Sequence, residues 1–396
     1  MRVLVVGSGG REHALAWSLS RSTSLDELHA APGNPGLAAL AHCHPVRADD
    51  HAALVSLARE LRIDLVVVGP EAPLVAGLAD ELRHRGVAVF GPSAAAARIE
   101  GSKAFAKEVM DAAGVANARN LPVARAPCVV KADGLAAGKG VWVCHTEDEL
   151  DTALRAAQAL GQPFHVEELL EGPELSVFAL AAGEAAVAFP PARDYKRIGD
   201  GDSGPNTGGM GSFSPLPDVA DDEASEILET VHLPVLRELA RRDAPFQGLL
   251  YAGLMRTADG LRVIEFNCRF GDPETQSLLP RLGGDLAPLL AGDLSQGPVL
   301  EDRAAVTIVL SGGDYPEHGD TGTPIDGVDE AEAAGALVFH AGTALHDGRL
   351  VTNGGRILNV VGVGADVGEA RSAAYEAAAR IDFAGMHYRK DIAADG

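Results

Sequence analysis

Along the first hundred residues the apolar positions come in short unbroken runs. Residues 2–6 (RVLVV), 28–31, 64–68 and 87–90 predict strands buried on both faces. The stretches 11–20, 51–62 and 72–85 between them are expected to be helices. Strands alternating with helices predict βαβ units and a Rossmann-like parallel sheet. Three Gly/Pro loops leave its carboxyl edge: Gly7-Ser8-Gly9-Gly10, Pro32-Gly33-Asn34-Pro35-Gly36 and Gly69-Pro70-Glu71-Ala72-Pro73. That edge is where open α/β sheets bind ligands, and a helix N-terminus there favours anions. A dinucleotide is disfavoured. Glu12 stands where GxGxxG needs its last glycine, and strand 2 ends in Ala30-Ala31, without an acid for a ribose. Arg11, in the first helical turn, is a candidate phosphate contact.

A second unit begins near Gly101. A helix over 102–113 carries Lys103, and a strand over 127–131 ends in Lys131. The Gly-rich loop 132–140 follows, with Gly138, Lys139 and Gly140, then a strand at 141–144. Such a loop can fold over a triphosphate with backbone N–H groups and ammoniums. It is not a Walker A loop, because no GK[ST] precedes a helix. On the next predicted strand, 164–170, Glu167 and Glu168 are consecutive, so one faces inward and needs a partner. Asp194-Tyr195-Lys196-Arg197 leads into a long Gly-rich loop, 199–211, expected to contact substrate. A helix at 221–241 and strands at 246–256 and 261–267 come next. Glu265 and Asn267 share a face of the last strand. Two hard oxygens there suit Mg²⁺, which takes few protein ligands. The bland alternative is a salt bridge between Glu265 and Arg269.

The last hundred residues predict strands at 304–311, 336–341 and 357–363 and a helix at 368–381. This is a small α+β domain with no catalytic constellation of its own, and Thr352-Asn353-Gly354-Gly355-Arg356 is most simply a turn. His42-Cys43-His44 is taken as structural, since adjacent side chains diverge and no second cluster lies nearby.

Composition narrows the function. The chain has 396 residues, enough for about three domains, and a net charge of −23. A protein this acidic is a poor general binder of nucleic acid or anionic membranes. Anionic substrates would need positive charge gathered at one site. Six of the 33 basic residues are lysine, and five of those (Lys103, Lys107, Lys131, Lys139, Lys196) lie between 103 and 196. That clustering points to a phosphate site. The four cysteines form no CxxC pair, and neither a signal peptide nor a membrane span is evident, so a reduced, cytoplasmic protein is expected.

These residues carry a resemblance. Gly7-Ser8-Gly9-Gly10-Arg11-Glu12-His13, Ala31-Pro32-Gly33-Asn34, Gly69-Pro70-Glu71-Ala72-Pro73, Gly101-Ser102-Lys103, the segment 131–140, Pro205-Asn206-Thr207-Gly208-Gly209-Met210-Gly211 and Glu265-Phe266-Asn267-Cys268-Arg269-Phe270-Gly271-Asp272-Pro273-Glu274 resemble the phosphoribosylamine–glycine ligases. These are ATP-grasp enzymes of purine biosynthesis. The resemblance runs nearly end to end and implies three units: 1–101 for phosphoribosylamine, an ATP-grasp region 102–302 with a mobile lid at about 116–190, and a C-terminal domain 303–396. It implies ATP as co-substrate, Mg²⁺ or Mn²⁺ on Glu265 and Asn267, and glycine and 5-phosphoribosylamine as the other small-molecule partners, with a monomer the simplest state. Lys103, Lys131, Gly138, Lys139 and Gly140 would clamp ATP, the backbone of Glu167 and Leu169 would meet adenine, and Glu174 the ribose. Gly9, Gly10, Arg11, Asn34, Pro70, Glu71, Gly208, Gly209 and Met210 would bind substrate. Arg269, Lys196 and Asp194 would act in catalysis. Three features depart from the family. Tyr195 stands where histidine is common, segments 116–127 and 150–165 are short for an ATP lid, and nothing supports fusion to later purine enzymes. The rivals are another ATP-grasp ligase or carboxylase, and a nucleotide sensor without catalysis. The N-terminal loops and 205–211 argue against the first, and the presence of Lys131, Glu265 and Asn267 against the second.

Overall fold

The apolar run at the N-terminus forms β1 (Arg2–Gly7), whose Val3, Leu4, Val5 and Val6 are fully buried. The computed structural model describes residues 1–135, 140–220, 222–394 and 396. β1 is the centre of a parallel sheet with β2 (Glu27–Pro32), β3 (His42–Cys43), β4 (Leu65–Val68) and β5 (Ala88–Phe90), ordered β3-β2-β1-β4-β5. Strands apolar on both faces suit a parallel sheet covered by helices. The chain winds from β1 out to β3, then returns to β4 on the other side of β1. The crevice between β1 and β4 is therefore the switch point, where such sheets take ligands. β3 is short and polar, so the apolar pattern does not announce it. The helix expected at 72–85 is two, Glu71–Val75 and Leu78–His84, because Gly77 turns the chain at φ 95°.

The next sheet is antiparallel: β6 (Cys128–Ala132), β7 (Val141–Cys144) and β8 (Phe164–Glu168), ordered β7-β6-β8. The helix Glu147–Ala159 covers it, started by a Thr146–Glu149 capping box. Cys128, Val130, Cys144, Leu150, Ala153, Ala157 and Val166 give this unit a small core separate from the two main ones.

β9 (Glu174–Ala182) and β10 (Ala185–Asp194) open the largest sheet. The expected loop 199–211 contains a hairpin, β11 (Arg197–Gly199) with β12 (Ser203–Asn206). β13 (Gly211–Ser214), β14 (Gln247–Thr257), β15 (Gly260–Asn267) and β16 (Ala304–Ser311) follow. A side sheet holds β17 (Asp320–Pro324), β19 (Thr343–His346) and β20 (Arg349–Gly354), while β18 (Leu337–His340) and β21 (Arg356–Gly364) join the large one. Its order is β15-β14-β9-β10-β13-β16-β21-β18. The pairing of β13 with β16 carries one sheet from the middle of the chain into its last hundred residues. The helix expected at 221–241 is interrupted by a π-helical turn, Leu228–His232, between Glu223–Ile227 and Leu233–Arg241. Among the described residues no helix is long and apolar enough to cross a membrane.

Candidate active site

β15 is the spine of the site. From Glu265 to Asn267 the side chains alternate, so these two share a face while Phe266 points into the core, and a β-bulge at Ile264 turns Val263 to the buried side as well. Lys196, just past β10, reaches over to it. Its Nζ lies 2.9 Å from Glu174 Oε2 at the start of β9 and 3.5 Å from Glu265 Oε1. Glu265 is 37% exposed, so this pair is open to the cleft. Burial pushes the Glu265 carboxyl up, but Lys196, Lys131, Lys103 and Arg269 outweigh it and hold the group ionised, below its ordinary range. Burial pulls Lys196 down, and Glu174, Glu265, Tyr251 and Asp194 more than reverse that, so it stays an ammonium.

Lys131 approaches from the end of β6. Its Nζ donates to Ile264 O at 3.0 Å and pairs with Glu167 Oε2 at 2.6 Å, both side chains being buried. Glu167 is thus the inward acid of its pair, and Glu168 pairs outside with Arg119. Burial raises the Glu167 carboxyl, and His165 and Lys131 bring it down to about 2. Lys103 starts its helix beneath the Gly-rich loop. Its backbone N–H donates to Asp133 Oδ1 at 2.6 Å and its Nζ to Gly134 O at 3.3 Å. Leu169 follows β8 directly. Gly138 and Lys139 lie outside the described residues.

Arg269 joins this face to the N-terminal sheet. It does not pair with Glu265. Its Nη2 lies 2.9 Å from Glu100 Oε1 and 3.3 Å from Asn267 Oδ1, and its Nε 3.3 Å from Glu71 Oε2. The bland Glu265–Arg269 salt bridge is excluded because two better-placed acids hold the guanidinium. Glu100, a site residue the sequence did not flag, also accepts from Cys268 N at 2.7 Å.

At the switch point Glu12 fills the space over the glycines. Its Oε2 accepts from Gly9 N at 2.6 Å, its Oε1 pairs with Arg11 Nε at 2.6 Å, and a Cβ on Gly7 or Gly69 would strike it. Arg11 is buried and also donates to Phe270 O at 3.2 Å, so it is no free anion hook. Asn34 is likewise engaged. Its Nδ2 donates to Ser8 O at 2.8 Å and His340 O at 2.7 Å, and its Oδ1 accepts from Leu37 N. Its side chain is a fastener between the N- and C-terminal regions, not an open substrate contact. Gly10 packs against Asn359 and Gln276, and Pro70 precedes the helix carrying Glu71.

The C-terminal region enters the site through Arg356, contrary to the reading of 352–356 as a plain turn. Its Nη1 donates to Gly208 O at 2.6 Å and Asp272 O at 2.8 Å, and its Nη2 pairs with Asp272 Oδ2 at 2.9 Å. Tyr315 Oη accepts from Gly208 N at 2.9 Å. Gly209, at φ 109°, lies against Asp194 Oδ1 and Pro273 with no room for a side chain. Met210 is fully buried, and its backbone is engaged on both sides: its N–H donates to Tyr195 O at 2.8 Å and its carbonyl accepts from Val309 N at 3.1 Å. Asp194 Oδ1 is buried without a hydrogen-bond partner. Burial and Glu274 hold this carboxyl well above its usual range, against the pull of Lys196. Tyr195 turns the other way. Its Oη accepts from Ala393 N at 2.9 Å and Arg389 stacks 4.9 Å from its ring.

Among the described residues no three His, Cys, Asp or Glu side chains converge to cage a metal. One carboxylate and one amide oxygen, Glu265 and Asn267, beside lysines that attract phosphate, fit Mg²⁺ or Mn²⁺ held partly by a ligand's phosphates.

Family models of phosphoribosylglycinamide synthetase match residues 1–100 (N domain), 101–275 (ATP-grasp domain) and 305–395 (C domain). The chain is 51% identical to a phosphoribosylamine–glycine ligase of Streptomyces coelicolor over all of this chain and 99% of that one. A crystal structure of phosphoribosylamine–glycine ligase from Thermotoga maritima superposes with a TM-score of 0.84 at 34% identity, covering 99% of this chain and 100% of that chain. The biotin carboxylase domain of Hydrogenobacter thermophilus 2-oxoglutarate carboxylase shares the fold at 16% identity, with a TM-score of 0.72, covering 98% of this chain and 91% of that chain. With matches along nearly its whole length, the chain belongs to the phosphoribosylglycinamide synthetase family.

Proposed function

We propose that the chain ligates glycine to 5-phosphoribosylamine at the expense of ATP, giving glycinamide ribonucleotide, ADP and phosphate in purine biosynthesis. The observation that carries this reading is the meeting of Lys196, Glu174 and Glu265 at β15, with Asn267 on the same strand face joined to Arg269. Glycine's carboxylate attacks the γ-phosphorus, and the bond to the ADP oxygen breaks. The amine of phosphoribosylamine then attacks the carbonyl of glycyl phosphate, loses a proton and expels phosphate. Both steps need positioning and charge neutralisation more than a strong base. Lys131, Lys103 and the loop bearing Gly138, Lys139 and Gly140 bind the ATP phosphates. The backbone of Glu167 and Leu169 takes adenine, and Glu174 the ribose. Glu265 and Asn267 hold Mg²⁺ or Mn²⁺, which when bound neutralises phosphate oxygens. Lys196 and Arg269 steady the transferring phosphoryl group. Asp194, its Oδ1 buried against Gly209, acts in catalysis, and Gly208, Gly209 and Met210 bind substrate. Gly9, Gly10, Pro70 and Glu71 line the phosphoribosylamine rim.

We assign units 1–101, 102–302 and 303–396 to phosphoribosylamine binding, ATP binding and closure of the rim, with a mobile lid that the sequence puts at about 116–190 but that stops before β9, since β9 is held between β14 and β10 in the large sheet. The separate core of β6–β8 supports that mobility. Four free cysteines support a reducing cytoplasm, and a site built within one chain supports a monomer. The test is ADP release that requires both glycine and phosphoribosylamine. Oxygen-18 from glycine's carboxylate should appear in the released phosphate. Label retained wholly in the amide would overturn the order of steps.

A further inference from the structure

Adjacent side chains of His42-Cys43-His44 diverge, but residues two apart do not. His42 and His44 therefore share a face at the outer edge of the N-terminal sheet. The second cluster that sequence proximity did not show is His29 on β2. His29 pairs in register with His42, and its ring centre lies 5.6 Å from that of His42 and 5.3 Å from that of His44. His44 is held in place by its backbone N–H, which donates to Ala30 O at 2.9 Å. His29 Nδ1 and His44 Nε2 stand 3.1 Å apart.

The tautomer of His29 follows from its other side. Glu27, two residues earlier on the same strand, places Oε2 3.4 Å from His29 Nε2. His29 is 4% exposed, and this nitrogen has no hydrogen-bond partner. A bare lone pair there would face a carboxylate, so Nε2 carries the proton and Nδ1 the lone pair. That lone pair points at a second imidazole nitrogen. Either a proton on His44 or a cation must lie between them. With metal–nitrogen bonds of ~2.0–2.1 Å, the observed separation gives a ligand–metal–ligand angle of roughly 100°, between tetrahedral and square arrangements.

We propose that His29 and His44, hydrogen-bonded to each other in the metal-free chain, form a two-nitrogen chelate for a late first-row divalent ion (Zn²⁺, Ni²⁺ or Cu²⁺), with the nearby Glu27 carboxylate favouring the His29 tautomer that ligates through Nδ1 and water completing the coordination. A carboxylate behind a ligating histidine is the usual support of such sites. Imidazole prefers these ions to Mg²⁺, so this site is chemically distinct from Glu265 and Asn267. It also lies on the strand that runs directly into Pro32-Gly33-Asn34 at the ligand rim.

The full chain is titrated with Zn²⁺ alone, in excess Mg²⁺, by calorimetry and by thermal unfolding. His44→Gln keeps an N–H for His29 Nδ1 but ligates poorly. The metal-free variant should melt with the parent chain, yet bind Zn²⁺ at least ~10-fold more weakly and lose the Zn²⁺-dependent rise in Tm. His346→Ala, at an exposed histidine elsewhere, should bind like the parent. Equal Zn²⁺ affinity in the parent and His44→Gln chains overturns the proposal. The parent chain loaded with one equivalent of Cu²⁺ should show two imidazole nitrogens in its electron paramagnetic resonance spectrum. One nitrogen or none overturns it without recourse to a variant.

Discussion

The two rims of the cleft handle positive charge in different ways. Toward the N-terminal sheet the cations are arginines, each closed on carboxylates: Arg269 on Glu71 and Glu100, Arg11 on Glu12, Arg356 on Asp272. Toward the lid they are lysines, and Lys196 sits half-open between Glu174 and Glu265. The difference follows from shape. A guanidinium fork satisfies several acceptors at once and makes a permanent strut, whereas an ammonium is a point charge on a flexible stem. The lysine rim can exchange its acids for phosphates without loss of structure. The arginine rim keeps its acids: Arg11 and Arg356 hold Phe270, Asp272 and the loop at 208–209 in register, and Glu71 and Glu100 fix Arg269 beside Asn267 for the part proposed for it above. Lys131 is the intermediate case, a lysine buried against Glu167 yet adjacent to Glu265 through Ile264 O.

The strongest way to break this contrast is Arg269→Met. Burial raises the Glu100 carboxyl, Arg269 opposes that, and Glu71 adds to it. Removing the guanidinium leaves Glu100 buried beside another acid. The expected loss is about 3–5 kcal/mol in urea unfolding, together with lost activity. A loss below ~1 kcal/mol would mean that the arginine rim is no more structural than the lysine rim.

Glu265→Gln tests the other rim. Its carboxylate is partly exposed and its partner Lys196 keeps Glu174, so stability should change by under ~1 kcal/mol. Turnover should fall ~10²-fold or more, as for loss of a preorganised charge, and added Mg²⁺ should restore part of it. A variant that melts much earlier but keeps its specific activity would place Glu265 among the struts.

The arginine rim was the harder part to read from sequence. Strands such as RVLVV are legible because every residue is apolar, and Glu265 and Asn267 because a strand repeats every two residues. Lys103, Lys131 and Lys196 stand out in a chain that otherwise prefers arginine. Arg356 gives no such signal. It follows two glycines in what resembles a turn, and its partners Gly208 and Asp272 lie far away in sequence. Glu100 has the same difficulty, since nothing local distinguishes a helix-end acid that meets Arg269 from one facing water. Arg11, Asn34 and Met210 show the converse. A motif marks them as important, but only packing shows that their side chains serve the protein itself.

A pH series sharpens the comparison where the N- and C-terminal regions meet. His13 Nδ1 accepts from His340 N at 2.8 Å, and burial, then His340, lowers the His13 pKa to about 3. Its folded value lies below the unfolded one of ~6.5. The stability it contributes is therefore intact above pH ~6.5 and is lost as pH falls toward about 3, because the unfolded chain takes a proton that folded His13 refuses. Between pH 6.5 and 4.5 the parent chain should lose about 2 kcal/mol more than His13→Gln in urea unfolding. Parallel losses would show that His13 is protonated in the fold.

The smallest expected effect belongs to Tyr195, between Asp194 and Lys196, the two residues proposed above to act in the reaction. Side chains of successive residues point in opposite directions along an extended chain. Lys196 faces Glu174 and Glu265, while Tyr195 faces the C-terminal tail, where its hydroxyl accepts from Ala393 N and its ring packs under Arg389. Tyr195→Phe removes one hydrogen bond and keeps the ring. Stability should fall by about 1 kcal/mol, and kcat and the KM for each substrate should stay within about twofold, an unchanged barrier. Tyr195→His should likewise leave kinetics alone, since the ring stays on the tail side. A change in the KM for glycine or phosphoribosylamine in either variant would show that the ring reaches substrate during turnover, and that the lysine rim extends one residue further than the resting structure shows.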